Sequence, residues 1–139
     1  MTRRRNQRGA AATELVLITP LVIIMFLFVV LAGRLAVARG DVGGAARDAA
    51  RAASVARSSG AAAGEAKAAA EASLARRGVT CSPLSVSTDT GSFEPGGTVT
   101  VSVRCNVKLS DLSLLMVPGS RLVQERAVEV IDQYRGADE

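Results

Sequence analysis

The sequence contains no histidine and no tryptophan, and only one tyrosine, three phenylalanines and two cysteines. Histidine is the usual general base near neutral pH, and no Ser, Thr or Lys lies in a recognisable nucleophile motif, so we do not expect an enzyme. Two cysteines without histidine leave a metal-ligand set incomplete, and 3% aromatic content makes an aromatic-lined ligand pocket unexpected. We therefore predict a non-catalytic protein without metal or cofactor.

The formal net charge of +4 does not by itself indicate a nucleic-acid-binding protein. Part of the excess comes from Arg3, Arg4, Arg5 and Arg8, which immediately precede an apolar run. Elsewhere the arginines are interspersed with Asp and Glu, without a basic stripe or stacking aromatic residues. Positive charge beside an apolar run is a topology signal, so we expect membrane lipid and not nucleic acid as a partner.

Residues 15–33 form an uncharged apolar run, LVLITPLVIIMFLFVVLAG. A helix of this length, rising about 1.5 Å per residue, would span about 28 Å, close to the hydrocarbon thickness of a bilayer. Only Arg34 and Arg39 follow the run closely, which predicts a cytoplasmic N-terminus and an exported C-terminal part. We assign residues 1–9 to a basic cytoplasmic leader and residues 10–33 to a transmembrane helix.

A secretory signal peptide is an alternative interpretation of the same segment. The basic residues and the apolar run are followed by an A-x-A pattern at Ala36, Val37 and Ala38. However, the run is longer than the usual apolar region of about 7 to 15 residues, Arg34 lies between it and the pattern, and Glu14 precedes it. A membrane anchor explains more of these features.

Residues 34–77 are rich in Ala with dispersed charged residues, which predicts one or two long exported helices. The glycines at 40–44 predict a bend or partial melting, and the Ser and Gly cluster at 58–64 predicts a break between helices. Asp48 and similar charged residues are expected to be solvated on the helix surface.

Residues 78–139 are predicted to be an exported β-rich region, because β-branched residues replace Ala there. Apolar and polar residues alternate over residues 98–109, which indicates a strand with one buried face. Residues 79–88 form a weaker strand interrupted by a proline, and residues 121–134 form a third strand or a terminal helix. The predicted fold class is α+β: a transmembrane helix continuing into a long Ala-rich helix, followed by a small antiparallel β-meander of about three strands.

Cys81 and Cys105 both follow the apolar run and lie on predicted strands. If this region is exported, the two cysteines should form a disulfide. Closing a loop of about 25 residues would contribute about 3 to 4 kcal/mol in the chain-entropy model. Two buried free thiols are the alternative.

Glu14 lies at the cytoplasmic edge of an otherwise apolar helix that begins near Ala10. An ionisable group is costly in a membrane, so Glu14 either extends into the interface or meets a positive charge within an assembly.

The segment from Arg8 to Glu14, Arg-Gly-Ala-Ala-Ala-Thr-Glu, resembles the processing site of type IV prepilins, in which a basic leader ends in Gly and Glu follows at the fifth mature position. Apolar residues around Pro20, the Gly33-Arg34 pair, an Ala- and Arg-rich helix and a C-terminal β-meander follow. This wider pattern resembles the TadE-like pseudopilins of tight-adherence (Flp-type) pilus systems.

The resemblance implies that a prepilin peptidase cuts after Gly9 and leaves Ala10 as the new N-terminus. It also implies that the Glu14 carboxylate pairs with the terminal ammonium group of a neighbouring subunit. Ala10 stands where ordinary type IV pilins commonly have Phe, and the exported part is larger than that of major Flp pilins, so a minor pseudopilin is expected. Its expected partners are the prepilin peptidase, TadF-like or major Flp pilins, and the pilus assembly platform.

Two other hypotheses remain open at this point. In the first, the chain is a permanently anchored bitopic protein whose exported β-region binds an envelope partner without prepilin processing. In the second, signal peptidase releases a small secreted domain that begins at Arg39. The pseudopilin hypothesis and the anchored alternative both predict a single-pass protein of the cytoplasmic (inner) membrane, which the pseudopilin leaves when it enters a pilus.

Overall fold

The computed structural model describes residues 7–91, 93–112 and 118–134, with side chains described from residue 14 onward except at positions 111 and 112. The elements in chain order are α1 (Gln7–Ser54), α2 (Ser59–Arg76), β1 (Leu84–Asp89), β2 (Thr98–Lys108), α3 (Leu109–Leu112) and β3 (Ser120–Val130). A long helix, a second helix and a three-stranded antiparallel sheet confirm the predicted α+β fold class.

The first helix is continuous over 48 residues, so the partial melting predicted at residues 40–44 is wrong, and the bend predicted there stays a prediction. Two of the glycines there are in contact with other elements: a Cβ at Gly43 would lie 3.8 Å from Glu125 Cγ, and one at Gly44 would overlap the guanidinium group of Arg77. Glycine weakens a helix mainly through backbone entropy, at about 1 kcal/mol relative to Ala. Packing of residues 38–53 against the rest of the molecule outweighs that cost.

The two helices form an antiparallel hairpin in which most of the buried residues are alanine. Six alanines of the two helices are fully buried: Ala45, Ala49, Ala53, Ala62, Ala66 and Ala70. Side chains this small allow two helix backbones to approach closely, and every methyl group on the interface is excluded from water. The high alanine content and low aromatic content of the sequence therefore suit close packing of these helices.

The break between the helices lies at residues 55–58 and shares only residue 58 with the predicted range 58–64, because residues 59–64 are already helical. Ser58 caps the second helix, since its hydroxyl accepts a hydrogen bond from the Ala61 amide at 3.2 Å. At the other end, Gly78 has a φ of +69°, and the amide of Val79 donates to the Leu74 carbonyl at 3.0 Å. Together with the bond from Gly78 to Ala75, this geometry is a Schellman motif, which turns the chain toward the sheet.

The sheet has the order β1-β2-β3, with both pairs antiparallel, as a meander requires. The final predicted element is a strand and not a helix, because residues 120–130 pair with β2 along their whole length. Alternation along β2 holds as predicted: the buried face carries Val99, Val101, Val103, Cys105 and Val107. This face packs against the helices, and the opposite face is polar.

Residues 34–54 of α1, together with α2 and the sheet, form a unit that we call the head. Within it α1 and β3 run in the same direction, because Gly43 lies beside Glu125 while Arg51 and Ser54 lie beside Ile131. The head therefore has a junction end, next to the apolar part of α1 and marked by Arg34 and Val107, and a far end marked by Ser54 and Ile131.

Candidate assembly helix

The apolar part of α1 is exposed along its length, which distinguishes it from the core helix of a water-soluble protein. Leu17 is 77% exposed and Phe28 70% exposed, and the most apolar stretch of the helix is 0% buried. By length and composition this is the one helix in the described part of the chain that is suited to crossing a membrane. A large exposed apolar surface of this kind needs lipid or partner helices to cover it.

The helix continues through Pro20, which cannot donate the hydrogen bond that a helical amide gives to the carbonyl four residues earlier. The neighbouring residue Thr19 is satisfied locally, since its Oγ1 donates to the Leu15 carbonyl at 2.6 Å. This bond lets a hydroxyl group lie in an apolar segment without an unpaired donor. Thr19 is therefore compatible with a membrane-spanning helix, and Pro20 leaves the helix continuous.

Glu14 is exposed and lies on a shallow groove lined by Leu15, Ile18, Thr19, Val22 and Ile23. Among the residues whose side chains are described, no cation lies within ion-pair distance of its carboxylate. The acid thus borders an apolar surface at the N-terminal end of the candidate membrane span. Such a group has free acceptor capacity for a cation of another molecule.

Gly9 and Ala10 lie in the first turns of α1, where the backbone is helical. Their side chains, like those of all residues before Glu14, lie outside the described set, as does the whole segment 1–6. Ala10 is four residues before Glu14 on a continuous helix, and residues with this spacing lie on the same helix face. The predicted new N-terminus and the acid therefore belong to one side of the helix.

A disulfide joins Cys81 and Cys105, with a Cα–Cα distance of 5.0 Å, and no other cysteine is present. Cys105 is fully buried on β2, opposite Leu84 of β1. The bond ties the segment after α2 to the central strand of the sheet. It thereby links the helical and sheet layers of the head near the junction end.

Sequence reasoning missed three polar contacts between α1 and the end of α2. The Ser73 hydroxyl, on a fully buried residue, donates to Asp48 Oδ2 at 2.6 Å, and Arg76 approaches the same oxygen at 3.8 Å. The prediction that Asp48 is only solvated is therefore wrong. In addition, Arg77 Nη1 lies 3.5 Å from Asp41 Oδ1.

The pairing of helix faces in a hairpin could have revealed these contacts, but it can be predicted only when the position of the helix break is known.

No group of three His, Cys, Asp or Glu side chains that could hold a metal ion occurs in the part of the chain that the structure describes.

Comparison with known proteins bears on this helix. The family model of TadE-like proteins matches residues 9–51, from Gly9 to three residues before the end of α1. No curated protein and no solved structure gives a significant match to the chain. The match covers the apolar segment and the first half of the helical hairpin, and the sheet lies outside it. The match confirms the resemblance predicted from the sequence, and residues 9–51 are consistent with a TadE-like protein of a tight-adherence pilus system.

Proposed function

We propose that this protein is a minor pseudopilin that acts in assembly, priming or capping of a tight-adherence pilus or a related secretion apparatus. The observation that carries the proposal is the TadE-like match over an exposed apolar helix with an exposed acid, Glu14, at its N-terminal end. The helix would cross the inner membrane with residues 1–9 in the cytoplasm and the head outside. The disulfide is consistent with this placement, because structural disulfides persist in oxidising compartments.

The proposed maturation step is hydrolysis of the peptide bond between Gly9 and Ala10 by a prepilin peptidase. Water supplies the oxygen of the new Gly9 carboxylate, and Ala10 gains a free α-ammonium group. In the membrane this cation and the Glu14 carboxylate of a neighbouring subunit would attract strongly, since little water screens them. Glu14 would then select the register in which apolar helices of neighbouring pilins pack side by side.

A permanently anchored bitopic protein is the alternative function. It would use the same helix and head but keep residues 1–9, and the head would bind an envelope partner. The uninterrupted helix through Ala38, which is 3% exposed, supports an anchor over a secreted domain. Cleavage there would have to unwind a buried helical segment.

The N-terminal residue of the membrane-extracted protein tests the proposal directly. Intact mass and terminal sequencing are compared in cells with and without the prepilin peptidase, for the native chain and for Gly9→Val. We expect a peptidase-dependent start at Ala10 that Gly9→Val abolishes. The matched control is Gly33→Val, at an open position of the same helix, which should be processed normally. A native chain that still begins with the leader would support the anchored alternative.

The role of Glu14 is tested separately from processing. Glu14→Gln keeps the size of the side chain and removes its charge, so we expect a normally processed protein that no longer crosslinks to other pilins or enters sheared pili. The control Glu65→Gln removes an exposed acid from α2 and should assemble like the native protein. Normal assembly of Glu14→Gln would remove the proposed ammonium pairing.

A further inference from the structure

The head meets the candidate membrane span at a cavity lined by three elements. Arg34 and Val37 of α1 lie there beside Arg77 and Val79, which follow α2, and beside Val107 of β2. The apolar run ends at Gly33, so this cavity lies directly where the helix would leave the membrane. Chain segments far apart in sequence are thus brought to the membrane boundary.

Two further basic residues lie at this junction end. Lys108 is the last residue of β2, and Arg121 pairs with Val107 across the sheet. Arg121 precedes Glu125 by four strand residues, which is about 13 Å along β3. Arg34 precedes Gly43 by nine helix residues, which is also about 13 Å along α1. Since Gly43 and Glu125 are neighbours, Arg121 lies level with Arg34.

We name Arg34, Lys108 and Arg121 the basic collar. All three side chains are exposed, and none forms an ion pair with another described residue. Arg77 adds a fourth cation to this end, but Asp41 already partners it at 3.5 Å. Among the described side chains, the collar therefore presents positive charge that no ion pair neutralises.

The far end of the head differs in charge. It carries the acids Asp89, Glu94, Glu129 and Asp132, with the basic residues Arg51 and Arg57 among them. Charge of both signs at the far end makes it a poor complement for the collar, so head-to-tail stacking of two copies is not favoured by charge. A membrane surface that carries anionic lipids would instead be negative throughout.

We propose that the basic collar binds the phosphate groups of anionic phospholipids on the membrane face from which the head emerges. Guanidinium groups form paired hydrogen bonds to phosphate, and the lysine ammonium group acts as a point charge. The collar lies at the junction end, where α1 would enter the membrane, so lipid headgroups would lie beside it. The proposal rests on the membrane-anchored arrangement of the proposed function.

Binding of the basic collar to lipid phosphates would hold the head against the membrane. This binding would have to be broken when a subunit leaves the bilayer.

Depth-dependent fluorescence quenching in lipid nanodiscs tests this inference on the full-length protein. The native chain has no tryptophan, so Thr80→Trp supplies a single reporter at an exposed position in the junction cavity. Co-elution with the nanodiscs is checked first, because it reports membrane insertion independently of the collar. We then expect quenching by brominated lipid to rise about two-fold when about 30% anionic phosphatidylglycerol replaces phosphatidylcholine.

The expected increase should disappear at about 0.5 M salt. It should also disappear in the variant Arg34→Gln, Lys108→Gln, Arg121→Gln. The matched control removes three cations elsewhere on the head, Arg51→Gln, Arg57→Gln and Lys67→Gln, and should keep the increase. A reporter at the far end, Gln133→Trp, should show no response to lipid charge.

The possible contrary results separate the two proposals. Failure to co-elute with nanodiscs would overturn the membrane-anchored function and the collar with it. Insertion with equal quenching in neutral and anionic lipid would overturn the collar alone. Quenching that follows the number of protein copies per disc and not lipid charge would assign the collar to a second copy, which also overturns lipid binding.

Discussion

The guanidinium group of Arg77 occupies the space over Gly44, where a Cβ atom would lie 2.6 Å from Nη2 and 2.7 Å from Cζ. The same group lies 3.5 Å from Asp41, one turn earlier on α1. The residue directly after α2 thus closes over the first helix at a position that has no side chain. The glycine, which from sequence suggested a weak point in the helix, is instead part of a contact between the two helices.

The first prediction compares two glycines of α1. Gly40→Ala meets no atom within 4 Å and should stabilise the protein by about 0.5 to 1 kcal/mol through helix propensity. Gly44→Ala gains the same propensity but displaces the flexible end of Arg77 and breaks its pair with Asp41, so its net gain should be smaller or absent. Urea unfolding of the detergent-solubilised protein, followed by circular dichroism, measures both. Equal stabilisation would show that the Arg77 contact contributes nothing.

The second prediction concerns the disulfide between Cys81 and Cys105, which closes a sequence separation of 24 residues. Replacing both cysteines with Ala should lower the free energy of unfolding by about 3 to 4 kcal/mol, because the unfolded chain regains the entropy of an open loop. Mass spectrometry after alkylation with and without reductant checks that the native bond is present. A double variant as stable as the native protein would leave the bond without a structural role.

Sequence patterns predicted the elements of this fold better than their contacts. Strict alternation predicted a strand at residues 98–109, and β2 ends one residue earlier, at Lys108. The apolar helix was predicted from its length and lack of charge. Both patterns arise from local periodicity, which requires no knowledge of neighbouring elements. The weaker strand is shorter than predicted and begins at Leu84, because the segment before it forms the turn and the disulfide that join α2 to the sheet.

The assembly features divide in the same way. Glu14 was identified because a charge in an apolar run is unusual in any structure, and the cysteine pair because only two are present. The contact of Asp48 with Ser73 and the position of the basic collar depend on which residues the hairpin and the meander bring together. The residues in these features lie far apart along the chain, and local sequence patterns do not report such contacts. The structure was therefore needed to find them.

The third prediction tests the alanine interface with one substitution at two positions of α2. Ala66 is fully buried against α1, whereas Ala68 is exposed. Ala66→Leu must force the helices apart and should cost about 1 to 3 kcal/mol or more. Ala68→Leu should change the free energy of unfolding by less than about 0.5 kcal/mol. Equal effects of the two variants in urea unfolding would contradict close helix packing at this face.

The fourth prediction measures the coupling between Asp48 and Ser73 by a double-mutant cycle. The hydroxyl is fully buried and donates to a carboxylate at 2.6 Å, so Asp48→Ala and Ser73→Ala should show a coupling energy of about 1.5 to 3 kcal/mol. The control cycle uses Lys67 and Glu71, an exposed pair at 3.9 Å on α2, whose coupling should be about 0.3 to 0.5 kcal/mol. Similar values in the two cycles would mean that burial adds nothing to the first contact. A larger value for Asp48 and Ser73 would show that a polar bond, as well as alanine packing, fixes the register of the two helices.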